Sequence, residues 1–211
     1  IFCYLCPSKS MGMVENIFPV FNGMLEREVK ENRLKQRGVV VWLTGLSGSG
    51  KTSIAIAAEQ ELTQLGFLTQ VLDGDNIRSG LNSNLGFSSE DRLENIRRIA
   101  EAAKLFAHCG VITICCFVSP EDNMRERAKQ IIGEEDFYEV FVNTSMETCE
   151  QRDVKGLYKK AREGKIEHFT GVNAPFEAPL NPFLELRTEG YSVKECASIL
   201  VNAMMDRIKL K

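Results

Sequence analysis

The amino-acid sequence predicts a three-layer α/β fold, in which a mostly parallel central sheet carries helices on both faces. From Gly38 onward, short apolar runs alternate with longer amphipathic segments, the order of elements typical of parallel sheets. The first run, VVVWLT at 39–44, is apolar almost throughout, as expected for a central strand buried on both faces. A chain of 211 residues, 44% of them hydrophobic and 26% charged, is long enough for one such domain with a sizeable core.

The first half of the domain reads as strand, helix, strand and long helix. After the strand at 39–44, the pattern predicts a helix at about 51–65 and a strand, LTQVLD, at 68–73. The clearest helix spans 88–110, because a serine and an aspartate at its start have capping-box-like spacing and a glycine ends it. Its predicted apolar stripe consists of Leu93, Ile96, Ile99, Ala103 and Phe106.

The second half repeats the alternation. Strands are predicted at 111–118, 137–142 and, more weakly, 183–188. Pro120 is placed to open the helix that follows the first of these strands, and a last helix covers about 192–208. Because ligands of such sheets bind beyond the carboxyl ends of the strands, the residues just after each strand are the candidate site.

Residues 1–36 are predicted to form an N-terminal arm ahead of a domain at 37–211. The arm from residue 13 onward is polar and reads as partly helical. The first twelve residues lack the layout of a secretory signal. Since Met11 and Met13 could each be a starting residue, those twelve are a candidate non-native or upstream remnant.

Charge and cysteine usage argue against several classes of protein. A formal net charge of -3 disfavours a general nucleic-acid binder, and no apolar run approaches the roughly 18 residues of a membrane span. Seven cysteines, an odd number at irregular spacing, favour reduced thiols and a cytoplasmic location. Cys3 and Cys6 have the spacing of a zinc or redox pair, but no second pair or histidine partner lies nearby in the sequence.

GLSGSGKT, from Gly45 to Thr52, fits the phosphate-binding loop G-x-x-x-x-G-K-[ST] and lies between a buried strand and a helix. Its glycines let backbone N–H groups turn toward phosphate oxygens at a helix N-terminus. Lys51 can reach the β- and γ-phosphates of a nucleoside triphosphate, and the Thr52 hydroxyl can ligate Mg²⁺. The predicted nucleotide contacts in and after the loop are Gly45, Ser47, Gly48, Ser49, Gly50, Lys51, Thr52 and Ser53.

Acidic residues follow the second predicted strand rather than the third. Asp73 and Asp75 come where LTQVLD ends, whereas VITICCFV is followed by Ser119. The Asn/Thr-Lys-x-Asp motif typical of guanine-binding proteins is not found in the sequence. One of the two carboxylates could take the proton of an acceptor hydroxyl, or hold the water shell of Mg²⁺. Arg78 is a candidate for binding a sulfate or phosphate group through two N–H groups of its guanidinium. The alternative is an Asp/Gly/Asn turn with a structural use only.

Several motifs together resemble the adenylyl-sulfate kinase (APS kinase) family over about residues 37 to 190. They are GLSGSGKT, LDGDNIRSGLN, LGFSSEDRLENIRRIAEAAKLF, CEQRDVKGLYKKAR and FTG, in this order. The resemblance implies transfer of the ATP γ-phosphate to the 3′-hydroxyl of adenosine 5′-phosphosulfate (APS), with Mg²⁺, in sulfate activation. It implies a phosphate-binding-loop kinase fold with a mobile lid at about 155–171.

The resemblance also implies roles for single residues. Asp75, with Lys51, would be catalytic, and Asp75 and Thr52 would serve the metal, the carboxylate through water. The acceptor contacts would be Asp75, Asn76, Arg78, Phe87, Arg92, Asn95, Val118, Ser119, Lys155, His168 and Phe169, and further ATP contacts would be Arg152 and Thr188.

Two of these assignments have alternatives. Phe87 would stack on the acceptor's adenine, or serve only as a hydrophobic staple for the long helix. Ser119, included in the catalytic set, would carry phosphate transiently or, as we favour, offer a binding hydroxyl, because phosphoryl transfer needs positioning and charge neutralisation.

The sequence departs from the family's pattern at several positions near the lid. His168 stands where glycine is usual, Asn173 where an acidic residue is usual, and Phe176 where tyrosine is common. Glu121 and Asp122 follow Ser119-Pro120 in place of Tyr-Arg. These changes leave the main roles filled, and we expect them to alter the affinity for substrates.

The resemblance implies a homodimer and, as a functional partner, ATP sulfurylase, which makes APS. Two other functions stay open at this point: a kinase for another small hydroxyl acceptor, such as a sugar acid or nucleoside, and a catalytically silent nucleotide-binding module. Phe87, Arg92 and Asn95 argue against the first, and the intact set of Lys51, Thr52 and Asp75 argues against the second.

Overall fold

The computed structural model describes residues 18, 20 and 23–210 of the chain. The strands are β1 Val40–Thr44, β2 Thr69–Asp73, β3 Ile112–Cys116, β4 Phe137–Asn143 and β5 Leu184–Arg187. The helices are α1 Arg27–Leu34, α2 Lys51–Gln64, α3 Gly74–Ser79, α4 Ser89–His108, α5 Asp122–Ile132, α6 Met146–Arg152, α7 Leu157–Arg162 and α8 Val193–Ile208. Cys3, Cys6 and the first twelve residues lie outside the described residues.

The strands form one sheet in the order β2-β3-β1-β4-β5, and every pairing is parallel. This confirms the predicted α/β fold, and each predicted strand appears within two residues of its expected bounds. β1 lies in the middle, paired with β3 on one side and β4 on the other. All five carboxyl ends therefore meet at one edge, where the chain turns into the phosphate loop and the candidate site.

Helices cover both faces of the sheet. The side chains of a strand alternate between its two faces, so an apolar strand presents side chains for helices to cover on each. Val41 and Leu43 of β1 pack with α2 and α8, whereas Val40 and Trp42 pack with α4 and α5. Every residue of β1 is buried. This burial on both faces explains why the run at 39–44 is apolar almost throughout.

Helix α4 begins and ends where its sequence signals predict. The Ser88 side chain accepts a hydrogen bond from the Asp91 N–H, and Gly110 follows the helix with a positive φ of 84°. The predicted apolar stripe was wrong at its two ends: Leu93 is 40% and Phe106 38% exposed. Alanines complete the buried face instead, since only small side chains let α4 lie close to the sheet; its core residues are Ile96, Ile99, Ala100, Ala103 and Ala107.

Helix α5 starts later than Pro120 suggested. It begins at Asp122, because the backbone after β3 first turns sharply at Ser119 and Glu121 then takes the N-cap position. Among the described residues, no helix is long and apolar enough to cross a membrane.

Helix α1, in the predicted arm, is held against the domain by a partly buried ionic cluster. Arg27 donates through both terminal nitrogens to the carboxylate of Asp136, which is 7% exposed, and Arg37 donates to the same carboxylate over 3.0 Å. Arg27 also donates to the Gly38 carbonyl over 2.6 Å. The Glu31 carboxylate accepts from Arg27 and from the Gly38 N–H. The expected boundary between residues 36 and 37 lies inside this cluster.

Gln36, the residue before that boundary, is fully buried and its amide joins two loops. Its Nε2 donates to the Leu68 and Gly110 carbonyls over 2.9 and 2.7 Å, and its Oε1 accepts from the Leu68 N–H over 2.7 Å. All three bonds satisfy backbone groups at the amino edge of the sheet, which would be costly to bury unpaired.

The ionic cluster predicts a stability effect. Asp136→Asn keeps the side-chain shape but removes the charge that two guanidinium groups share, so we expect the free energy of unfolding to fall by about 2–3 kcal/mol in urea denaturation. Glu134→Gln is the matched control, since Glu134 pairs with Lys129 at the surface and should change stability by less than about 1 kcal/mol. Equal effects of the two substitutions would contradict the role given to Asp136.

Candidate active site

A cleft of about 1110 Å³ opens at the carboxyl edge of the sheet. Of the residues that sequence and resemblance assigned to the site, all but Gly45 and Asn76 line it. Gly45 is buried at the start of the phosphate loop, and Asn76 is exposed on α3. The lining residues come from the segments that follow β1, β2, β3 and β5, from the start of α4, from the end of α6 and from the lid. Tertiary structure thus brings together residues as far apart in the chain as Ser47 and Cys196.

The phosphate loop connects the end of β1 to α2, and its lysine is inside the cleft. Lys51 is 8% exposed, and its Nζ donates to the carbonyls of Gly45 and Leu46 over 2.8 and 2.7 Å. Burial lowers the pKa of Lys51 to about 8. A cation held in this way is a strong site for an anion, because phosphate oxygens would restore the charge stabilisation that burial removes.

Two threonines support the loop from β4 and β5. Thr144 follows β4 and donates its hydroxyl proton to the Ser49 carbonyl over 3.0 Å. Thr188, after β5, lies 2.6 Å from the same Thr144 oxygen. Since the only Thr144 proton is used on Ser49, Thr188 is the donor of the second bond. Arg152, at the end of α6, donates to the Gly48 and Ser49 carbonyls over 3.3 and 3.5 Å.

A second corner of the cleft pairs the first turn of α2 with the end of β2. The Thr52 hydroxyl donates to Asp73 Oδ2 over 2.7 Å, while Asp73 Oδ1 caps α3 by accepting from the N–H groups of Asp75 and Asn76. Sequence and resemblance assigned Thr52 and Asp75 to the metal, whereas the structure places Asp73 beside the threonine hydroxyl. The described residues contain no cluster of three or more His, Cys, Asp or Glu side chains suited to a metal.

Asp75 faces the lid. Its Oδ2 contacts Nζ of Lys155, and both side chains are more than half exposed. This ion pair crosses the cleft from α3 to the turn before α7, so a candidate base and a candidate lid cation meet at the same point. An exposed pair of this kind adds little to stability and is free to exchange its partner for a ligand.

Ser119 lies 3% exposed after β3 and is held through its hydroxyl, its carbonyl and the peptide that precedes it. Its backbone has a φ of 42°, a left-handed conformation that is unfavourable for a residue with a side chain. The Trp42 indole N–H donates to Ser119 Oγ over 3.0 Å, and Nη1 of the buried Arg125 donates to its carbonyl over 2.9 Å. The Thr44 hydroxyl donates to the Val118 carbonyl over 2.6 Å. The surroundings hold Ser119 in a strained conformation, as is frequent at functional sites.

Arg125 is itself balanced by acidic neighbours. Its Nε lies 2.8 Å from Oε1 of Glu139 on β4, and Nη2 lies 3.2 Å from the Asp122 carboxylate. Burial raises the pKa of Glu139. Asp122, one of the departures from the family's pattern, thus contributes to the support of Ser119.

Three predicted acceptor residues lie near the start of α4. Arg78 places its guanidinium 4.4 Å from the centre of the Phe87 ring and donates to the Gly86 carbonyl over 2.8 Å. Phe87 is 66% exposed, which favours a platform rather than a staple. Asn95 is buried, and its Oδ1 accepts from the Asn82 amide over 2.9 Å.

Arg92 connects α4 to the end of the lid. Its Nη2 donates to the His168 carbonyl over 2.8 Å, and its Nε donates to the Phe87 carbonyl over 3.1 Å. His168 has a φ of 55°, in the left-handed region that favours glycine. The glycine usual at this position would adopt the same backbone without strain, so the departure costs conformational energy and leaves the turn in place.

The remaining departures have structural partners. Asn173 accepts from the Phe169 N–H and donates to the Ile166 carbonyl over 3.0 Å, and a carboxylate could not do both. Phe176 stacks on Phe141 with ring centres 5.8 Å apart. Glu121 accepts from the Asn123 amide over 3.2 Å.

Sequence reasoning missed several residues of this site. Trp42 was predicted only as part of a buried strand, and neither Arg125 nor Tyr158 was given a role in the site. No local signal marks the three, because the partners of Trp42 and Tyr158 are 77 and 111 residues away and the Arg125 bond is to a backbone carbonyl. Thr52 lies in the first turn of α2 and Asp73 ends β2, the next element, and this placement at one edge of the sheet could have indicated their contact.

Comparisons with known proteins agree with the geometry. The family model described as adenylylsulphate kinase matches residues 37–187. An adenylyl-sulfate kinase of Phocaeicola vulgatus is 58% identical over 191 residues, covering 90% of this chain and 94% of the relative, and one of Bacteroides fragilis is 56% identical over 193 residues, covering 92% and 96%.

A solved structure gives the same result. The APS kinase of Mycobacterium tuberculosis in complex with AMPPNP and APS is 46% identical, with a TM-score of 0.77, and the match covers 80% of this chain and 98% of that one. The residues matched by the family model include the phosphate loop, Asp75, the start of α4 and the lid. With its fold, its cleft and its relatives in agreement, the chain belongs to the adenylylsulphate kinase family, whose members are enzymes that transfer phosphate to a hydroxyl group.

Proposed function

We propose that this chain transfers the γ-phosphate of ATP to the 3′-hydroxyl of APS in the cleft at the carboxyl edge of the sheet, giving 3′-phosphoadenosine 5′-phosphosulfate and ADP. The observation that carries the proposal is that one cleft contains the phosphate loop together with Asp75, two arginines and an exposed ring. The two arginines, Arg78 and Arg92, match a second anionic nucleotide, and the ring of Phe87 matches its base. Relatives with the same activity support this substrate assignment.

The donor side would be built by the phosphate loop. Its backbone N–H groups and the N-terminus of α2 would bind the phosphates of ATP, and Lys51 would exchange the Gly45 and Leu46 carbonyls for phosphate oxygens. Arg152 and Thr188 line the same end of the cleft and would contact the remainder of the nucleotide.

The residues present fit a magnesium ion next to the phosphate loop. Thr52 and Asp73 offer a hydroxyl and a carboxylate oxygen at 2.7 Å from each other, and one or two such oxygen ligands suffice when phosphates supply others. Asp75 would act on the metal only through water. When bound, the ion would neutralise the charge of the transferring phosphate.

The acceptor side would place the 3′-hydroxyl at Asp75. That carboxylate would accept the hydroxyl proton, and Lys155 would hold its charge and orientation until the acceptor arrives. Arg78, Arg92 and Asn95 would hold the anionic groups and ribose, with Val118, Lys155, His168 and Phe169 as further contacts. Asn76, which does not line the cleft, would contribute by shaping α3.

Ser119 would act as a binding hydroxyl. Its oxygen already accepts the Trp42 N–H, so its own proton is free to be donated to the acceptor. Closure of the lid over 155–171 would exclude water, so that the γ-phosphate passes to the acceptor rather than to solvent.

Assembly and location remain predictions. The homodimer, the ATP sulfurylase partner, the cytoplasmic location and the division into an arm at 1–36 and a kinase domain at 37–211 rest on sequence and resemblance. Size-exclusion chromatography coupled to light scattering would measure the oligomeric state directly.

A first prediction concerns Asp75. Asp75→Asn keeps the shape but cannot accept the proton, so APS-dependent ADP release should fall by about 10²–10⁴-fold while AMPPNP binding stays within about twofold. Asp206→Asn, an exposed carboxylate on α8 outside the cleft, should leave both unchanged. Turnover of Asp75→Asn near that of the unsubstituted chain would remove Asp75 from its role, and absence of APS-dependent ADP release in the unsubstituted chain would refute the function itself.

A second prediction separates Asp73 from Asp75. Asp73→Asn retains an oxygen that can cap α3 but loses the charge beside Thr52, so the Mg²⁺ concentration for half-maximal activity should rise about 10-fold or more. The melting temperature should change little. An unchanged Mg²⁺ requirement in Asp73→Asn, together with a raised one in Asp75→Asn, would show that Asp75 rather than Asp73 serves the metal site.

A third prediction follows from the lowered pKa of Lys51. Bound phosphates favour the protonated amine, so nucleotide binding takes up a proton when the pH exceeds the free pKa of about 8. AMPPNP affinity, measured calorimetrically, should be independent of pH up to a pH of about 8 and should decrease above it. In Lys51→Ala the affinity should be weaker and level across that range; a fall of the same size there would assign the effect to another group.

A further inference from the structure

Tyr158 is the one aromatic residue of the lid helix α7, and its side chain is nearly enclosed. It is 1% exposed, its hydroxyl donates to the Ser47 carbonyl over 2.9 Å, and its ring meets Phe169 edge-to-face with centres 5.0 Å apart. One side chain therefore contacts both the phosphate loop and a residue of the acceptor side.

The contact with Ser47 restrains an N–H group of the phosphate loop. The Ser47 carbonyl and the Gly48 N–H belong to one planar trans peptide and point in opposite directions. By holding the carbonyl, the Tyr158 hydroxyl also holds the Gly48 N–H turned away from itself. Gly48 has a φ of 78°, in the left-handed region, where glycine permits a peptide orientation that most other residues would not.

The contact with Phe169 fixes the other side. Phe169 lines the cleft, its N–H donates to the Asn173 side chain, and the Tyr158 ring is its aromatic neighbour. An edge-to-face contact sets the tilt of a ring as well as its place. A shift of the Tyr158 ring would therefore move the surface that Phe169 presents to the acceptor.

Tyr158 is held firmly enough to transmit such a shift. Its N–H donates to Asp153 Oδ1 over 3.1 Å, and the Lys159 N–H donates to Oδ2 of the same carboxylate, so α7 is anchored at its start. Burial raises the pKa of the Tyr158 hydroxyl, which keeps the proton that its bond to Ser47 requires.

We propose that Tyr158 is a positioning residue that couples the two substrate sites, transmitting the arrangement of the phosphate loop at Ser47 to Phe169, and hence linking nucleotide binding to APS binding. This inference rests on the proposed function. Because coupling between two ligands is reciprocal, AMPPNP and APS should each tighten the other's binding by the same factor.

The hydroxyl and the ring can be tested separately. Tyr158→Phe removes only the bond to Ser47, and Tyr158→Leu also removes the ring beside Phe169. Tyr138→Phe is the matched control, because the Tyr138 hydroxyl also donates to a backbone carbonyl, that of Glu135, and Tyr138 does not line the cleft. The dissociation constant of APS would be measured calorimetrically with and without saturating AMPPNP for each protein.

We expect AMPPNP to tighten APS binding by about 5-fold or more in the unsubstituted chain and in Tyr138→Phe. In Tyr158→Phe the factor should fall close to one, with APS binding alone little changed. In Tyr158→Leu, APS binding alone should weaken by about 2- to 10-fold, the value of an aromatic pair. A purely structural role would alter the melting temperature of the variants and leave the coupling factor unchanged.

Two results would overturn the inference and leave the proposed function intact. They are a coupling factor near one in an unsubstituted chain that phosphorylates APS, and a factor in Tyr158→Phe equal to that in Tyr138→Phe. If the unsubstituted chain bound no APS and showed no APS-dependent ADP release, the proposed function would be refuted and this inference with it.

Discussion

Burial of β1 on both faces is the constraint on which the rest of this structure depends. Because helices cover both faces, the strand must pair on both edges to satisfy its backbone, and its neighbours β3 and β4 run parallel to it. The end of β1 thus becomes the middle of the cleft. Gly45 turns the chain into the phosphate loop there, and an added Cβ would lie 2.5 Å from the Val142 carbonyl of β4. The close approach of β1 and β4 leaves room only for glycine.

The site concentrates positive charge in a chain whose formal net charge is -3. Lys51, Arg78, Arg92, Arg152 and Lys155 all line one cleft, and most of them have backbone carbonyls as partners. A carbonyl compensates a cation only in part, so these groups retain their attraction for phosphate and sulfate. Four carboxylates also line the cleft: Asp73, Asp75, Asp153 and Glu167. Among them, Asp75 and Asp73 lie where the proposed reaction requires a proton and a metal ion to be held.

Two of the three non-glycine residues with positive φ in the described part of the chain lie at the carboxyl edge of the sheet; the third, Lys35, ends α1. Ser119 and His168 are non-glycine residues with positive φ, at the end of β3 and in the lid. Ser119 is clamped by Trp42 and Arg125 in the buried part of the cleft, whereas His168 is exposed and held mainly through the Arg92 bond to its carbonyl. The inner residue is thus held by buried partners and the outer one by a bond at the surface, which fits the lid proposed for 155–171.

The sequence by itself determined the order of the strands along the chain, the phosphate loop and the family. These follow from local patterns: double burial makes an apolar run, a tight anion-binding turn needs glycines, and the motifs of the acceptor side are long enough to be specific. Most cleft residues were also predictable, since each follows a strand or belongs to such a motif.

Only the tertiary structure decided which side chains touch. The pairing of Thr52 with Asp73, the clamp on Ser119 and the double contact of Tyr158 join residues far apart in the chain, and the alanine-rich face of α4 depends on how closely that helix packs. Such contacts depend on the packing of whole elements, so no short stretch of sequence encodes them. Their physical origin is that parallel strands bring the ends of distant segments to one edge, where each side chain meets partners that its own segment does not contain.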